Sequence, residues 1–183
     1  MLMLAGVVTG TIPAAASAAT CQSWSGLQPP SPGADGNELS GVAVLSPCNA
    51  WTVGSLNNGG GQQQTLVEHW NGAAWTVVPS PDPGSADDGL AGVRAVSASD
   101  IWAVGADDNP GIEQTLIVHW NGHTWTQVTS PNPGGPGGFH ALNGVTVISP
   151  KTADSHIQHI YAKIGCSTRG AAVLFALRHN LVG

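Results

Sequence analysis

The chain has 183 residues, which suits one ordinary domain with a sizeable core. Its net charge of −6 is unevenly spread: residues 1–150 carry Arg94 against ten acidic residues, whereas 151–183 carry four basic residues against Asp154. The acidic stretch cannot bind nucleic acid through charge, because phosphate contacts need Lys and Arg; the tail has the right sign but is small.

Residues 1–20 predict a secretory signal. Leu2 to Val8 is a short apolar run, and Ala16-Ser17-Ala18 is a small-x-small cleavage site followed by Ala19. The basic stretch that opens such signals is absent, as expected if the start lies upstream of Met1. With the signal used, the protein is secreted; without it, cytoplasmic. The apolar run falls short of the roughly 20 residues that span a bilayer, as does every other segment, so no membrane span is expected. Cys21 and Cys48 both follow the signal, where a disulfide between them is open to them if geometry allows. The odd cysteine, Cys166, reads as a small packing residue.

From about residue 21 to 148 the chain repeats with a period of 50 to 52 residues. Leu39-Ser-Gly-Val42 recurs as Leu90-Ala-Gly-Val93 and Leu142-Asn-Gly-Val145. Asn49-Ala-Trp51 recurs as Asp100-Ile-Trp102, and His69-Trp-Asn-Gly72 as His119-Trp-Asn-Gly122. Trp75 and Trp125 open the last segment of each unit, and Trp24 marks the end of an earlier one. Each unit predicts four short strands: 42–45, 50–53, 66–70 and 75–78 in the first copy. Asn71-Gly72 predicts a two-residue type I′ hairpin. The proline-rich stretch 79–84 then breaks pairing and starts a linker.

Four strands in about 50 residues are the signature of a β-propeller blade. The units resemble the tryptophan-rich, kelch-like repeats of secreted bacterial proteins. The expected fold is therefore mainly β: an incomplete β-propeller-like array of four-stranded units, plus a two-helix tail. Two full units, 39–84 and 90–134, and a partial third, 142–148, fall short of the roughly four to eight blades that close a propeller. The array must oligomerise through its open sheet edges or be part of something longer.

The repeat holds little chemistry. His69 and His119 occupy equivalent positions and could share a ligand, but read better as strand histidines beside a turn. Asp100, Asp107 and Asp108 lack the spacing of a calcium loop and are expected in turns. No nucleophile-elbow, zincin, CxxC or Walker pattern appears, and the glycine-rich stretch 134–138 reads as linker. Neither an enzyme nor a cofactor is expected.

The third unit breaks off where its tryptophan should stand, at Asp154. Ala153, Ile157, Ile160, Tyr161 and Ile164 then predict an amphipathic helix over 152–164, stopped by Gly165. Ser167 or Thr168 can cap a second helix bearing Ala171, Ala172, Leu174, Phe175 and Leu177. By periodicity these form a helical hairpin or a helix-turn-helix alike.

Ser149, Thr152, His156, Ile157, Ile160, Lys163, Gly165, Arg169 and Ala172 closely resemble the second half of a LuxR-type helix-turn-helix domain over 149–182. The resemblance implies a recognition helix at about 151–164 and a closing helix at about 168–180. On that pattern Asp154, Ser155, Gln158 and His159 face the major groove, and Lys151, Thr152 and Lys163 reach phosphates. Asp154 opposes binding, since an acid repels phosphate. His156 reads as a packing residue. The two helices that precede the recognition helix in that family are missing. Ser149-Pro150, which matches Ser46-Pro47 within the repeat, marks the seam of a chimeric chain, made by a gene fusion or a sequence-assembly join. The expected activity is DNA binding by a LuxR-type transcriptional regulator, impaired because the domain is incomplete. The alternative is a secreted, non-enzymatic β-propeller-like binding or structural protein, recognising a surface glycan or protein, with an inert tail.

Overall fold

The computed structural model describes residues 21–22, 27–109, 112–132, 138–146, 150–165 and 167–179. The signal-like segment, Trp24 and the seam residue Ser149 lie outside these. The described chain is mainly β. Strands β1 (Gly36–Ser46), β2 (Asn49–Asn57), β3 (Gln63–Trp70) and β4 (Trp75–Val77) form one antiparallel sheet in chain order. Strands β5 (Gly89–Ser97), β6 (Asp100–Asn109), β7 (Ile112–Trp120) and β8 (Trp125–Val128) form a second in the same order. These are the two full units.

Several strands run further than alternation alone predicts. β1 begins at Gly36, because backbone pairing with β2 continues from Val44 out to the Gly36–Asn57 pair. Asp107 and Asp108, expected in turns, lie in β6 opposite Gln114 and Glu113. The tight hairpin at Asn71 is also corrected. Trp70 pairs with Trp75, so the connection has four residues, and the Asn71 side chain accepts from the backbone N–H groups of Ala73 and Ala74. Gly72, at φ +92°, supplies the left-handed position, and Gly122 repeats it at +96°. Asn121 accepts in the same way from His123 and Thr124.

The stretch after β4 is fastened rather than loose. The Thr65 hydroxyl meets the Ser80 hydroxyl at 2.7 Å and donates to the Pro81 carbonyl, while Asp82 accepts from the Thr65 N–H. Thr115, Ser130, Pro131 and Asn132 repeat the arrangement. Prolines end the ladder, and side chains supply the hydrogen bonds that the ladder no longer does.

The core lies between the two sheets. Trp51, Val53 and Val67 of the first sheet meet Leu90, Ile101, Ala103, Leu116, Val118 and Trp125 of the second. Trp51 sits 4.9 Å from Trp120 and 5.7 Å from Trp125, ring centre to ring centre. Burying each such large side chain is worth about 1.5–3 kcal/mol. Close approach of the inner strands needs glycine: a Cβ on Gly41 would lie 3.3 Å from Gly92 Cα, and one on Gly92 would lie 3.0 Å from Gly144 Cα. The start of the third unit thus seats on the second sheet as the second seats on the first. His140 N–H donates to the Glu113 carbonyl as Asp88 N–H does to that of Gln63. Residues 141–146 nevertheless form no strand, and the described residues make no closed propeller.

Two helices follow, α1 (Pro150–Lys163) and α2 (Arg169–Arg178), close to the expected bounds. Gly165 ends the first in the left-handed region at φ +67°, and the Thr168 hydroxyl caps the second by accepting from Ala171 N–H. The element pairs that pack extensively are all strands. Ile160, Leu174 and Leu177 are accordingly exposed on the helices.

Candidate functional site

A single polar pattern appears in both sheets. Asn49, two residues before Trp51, accepts from the Trp51 indole N–H at 3.1 Å and bonds His69 Nε2 at 3.1 Å. His69 stacks on Trp51 at 4.2 Å. In the second sheet Asp100 accepts from the Trp102 indole at 2.8 Å and bonds His119 Nε2 at 2.8 Å, and His119 lies 4.3 Å from Trp102. Each histidine thus ties one strand to its neighbour within its own sheet. Burial holds the His69 imidazole below its usual range. An Asx residue two positions before the tryptophan of both units was the sequence signal for this tie.

Other buried polar groups also serve the fold. Asp88 accepts from the N–H groups of Gly84 and Asp108, in the way Asn37 accepts from Gly33. Desolvation raises its carboxyl to about 6, against the lowering effect of those bonds, with Asp82 and Asp107 adding to the rise. Desolvation, then Asp108, raises Asp107 as well. Among the described residues no group of three or more His, Cys, Asp or Glu side chains gathers to hold a metal. Cys21 and Cys48 are disulfide-bonded, fixing the segment before the first sheet to the β1–β2 turn. The Gln22 N–H reinforces the link by donating to the Gly72 carbonyl.

What the fold leaves unpaired is more informative. Both carboxyl oxygens of fully buried Glu68 lack hydrogen bonds, and so does the indole N–H of Trp125, which is 6 % exposed. Trp125 lines a cleft of about 350 Å³ between the end of the first sheet and the β7–β8 hairpin. Val78, Pro79, Ser80 and Pro81 form one side; Trp120, His123, Thr124 and Trp125 form the other. A second cleft lies between the inner strands and carries Glu38, Asp87 and Glu113. Nothing in the repeat spacing singled out Trp125 from the other tryptophans.

The tail residues that the LuxR-type pattern assigns to DNA are all on α1. Lys151, Thr152, Ser155, Gln158, His159 and Lys163 are exposed there. Nothing is described of the side chains of Asp154 and His156. Among the described residues no helix is long and apolar enough to cross a membrane. Compared with protein-family models, curated proteins and solved structures, the chain matches none.

Proposed function

We propose that the protein is an exported, non-enzymatic binding module whose packed β units recognise a glycan or protein at a cell surface. One observation carries this reading. The repeated polar side chains of the units bond one another, while an uncharged aromatic cleft remains at the sheet junction. Such a cleft favours recognition of a neutral partner over chemistry, which needs positioned nucleophiles, acids or bases. The test is retention of the labelled, mature chain on insoluble polysaccharides and on bacterial envelopes. Saturable retention is expected; a chain that washes off every surface is not a binding module of this kind.

The open start of the array belongs to the same reading. Val42 and Val44 are 62 % and 57 % exposed, whereas their second-unit counterparts Val93 and Ala95 pack against the inter-sheet core. A unit from a second copy would cover them, and sedimentation would then show a concentration-dependent oligomer.

A second reading rests on α1. Its six exposed polar residues include Lys151 and Lys163 at the two ends of one helix, and lysines can contact phosphates. DNA contact by this helix is tested by a mobility shift at low salt, and absence of a shift removes it.

A further inference from the structure

The cleft at the sheet junction has a chemistry of its own. No Asp, Glu, Lys or Arg lines it. In a segment as acidic as 1–150 that is a distinction, and it disfavours ionic ligands such as phosphates and carboxylates. The walls combine aliphatic groups (Val78, Pro79, Pro81) with the indoles of Trp120 and Trp125, whose ring centres lie 5.9 Å apart at 45°. Trp51 packs behind both indoles and fixes them. Trp120 is itself anchored, its N–H donating to the Ala98 carbonyl. Trp125 is different: its N–H is buried and has no acceptor. That N–H lies inside the wall, so the indole offers the cleft its ring and not its donor.

Comparison with the first unit sharpens the point. At the tip of the β3–β4 hairpin the chain has Ala73 and Ala74; at the equivalent tip of β7–β8 it has His123 and Thr124. Both hairpins are held by the same asparagine bonds to backbone, so the fold does not require the polar side chains. They add hydrogen-bonding groups at the rim of the cleft and nowhere else in the repeat.

We propose that this cleft is a subsite for a neutral pyranose, with the sugar ring against the indole wall. The C–H groups of a pyranose face are slightly positive, and they complement the negative face of an indole. Hydroxyls at the ring edge meet Thr124 and His123. The volume lies at the lower end of the roughly 300–1,000 Å³ of small-molecule sites, which fits a short saccharide and not an extended chain. The inference rests on the binding-module reading and names its ligand class.

The test titrates the full chain with methyl glycosides of glucose, mannose, galactose and N-acetylglucosamine, read by tryptophan fluorescence and saturation-transfer NMR. At least one glycoside is expected to saturate, with a Kd of roughly millimolar order for a single ring. Trp125→Phe shrinks the aromatic wall; about tenfold weaker binding is expected. His123→Ala with Thr124→Ala installs the residues of the first hairpin, which folds with them, and should weaken binding several-fold. That double variant decides the matter if Trp125→Phe does not fold. No saturating glycoside, or equal binding by the variants, overturns the proposal, as does occupation of the cleft by a proline-rich peptide in place of sugars. Retention on polysaccharide with no glycoside bound would overturn the subsite and leave the binding module standing; loss of both removes both.

Discussion

Glu68 occupies in the first unit the position that Val118 occupies in the second. Val118 belongs to the core between the sheets; Glu68 is equally buried but its carboxyl lacks any hydrogen bond. Desolvation pushes the Glu68 carboxyl from 4.5 up to about 7. Between those values the unfolded chain has released a proton that the folded chain keeps. Stability therefore falls as pH rises through this window, is lowest above pH 7, and carries no penalty below 4.5. The full effect is about 3 kcal/mol. Asp88 acts in the same direction and His69 in the opposite one, since a lowered imidazole loses stability as pH falls below 6.5. The difference between the chain and Glu68→Val isolates the glutamate. The variant should be more stable at pH 8 and nearly equal at pH 4, by urea unfolding; a constant difference across pH would refute the assignment.

The tie between His119 and Asp100 follows a hydrogen-bonding pattern common to both units. Its first-unit counterpart works with the neutral Asn49. The Asp100 side chain is 42 % exposed, where an ion pair is worth little. Asp100→Asn should unfold within about 0.5 kcal/mol of the parent chain, whereas Asp100→Ala, which strands two donors, should cost about 1 kcal/mol. If both cost the same, charge is the operative property.

Which of these relations the sequence alone could reveal depends on whether one residue or a periodic set carries them. The period, the strand faces and the paired tryptophans were legible, because Trp51, Trp70 and Trp75 recur as Trp102, Trp120 and Trp125, and apolar residues alternate within the strands. So was the change to helix after Ser149-Pro150, where the apolar spacing shifts and Asp154 stands in place of the expected tryptophan. The hairpin type was not, because an Asn-Gly pair serves both a two-residue turn and the four-residue turn closed by the Asn71 side chain. The cleft was hidden too: Val78 and Trp125 lie 47 positions apart in sequence and meet only when two sheets stack.

Glycine is indispensable at Gly105 and dispensable at Gly144. A Cβ on Gly105 would overlap the Gly89 carbonyl oxygen beside the bulge of β5, and backbone cannot yield cheaply. One on Gly144 would meet nothing. Gly105→Ala should cost at least about 2 kcal/mol, and Gly144→Ala less than about 0.5 kcal/mol. Thermal unfolding of the two variants side by side reads the contrast, and similar melting temperatures would contradict it.

The Cys21–Cys48 bond predicts one reactive thiol per chain in denaturant without reductant, and three after reduction. Closing the loop between them restricts the unfolded chain, which stabilises by about 2–4 kcal/mol. Cys48→Ser should lose that amount, and the loss should appear in the parent chain on adding reductant. Three thiols in unreduced protein would show that the pair does not form.

The helical tail tests how independent the two parts are. Its apolar residues Ile160, Leu174 and Leu177 are exposed, and no sheet packs extensively on either helix. Removal of residues 150–183 should therefore leave the unfolding midpoint of the β units within about 0.5 kcal/mol. If α1 also touches DNA, the intact chain shifts a duplex at low salt and the shortened one does not. Replacing Lys151 and Lys163 with Ala should then lower the salt slope by roughly two, since each neutralised phosphate contributes about 0.9. A shift that survives the deletion would place the contact in the acidic units, where charge opposes it; a midpoint that drops would mean the helices support the sheets after all.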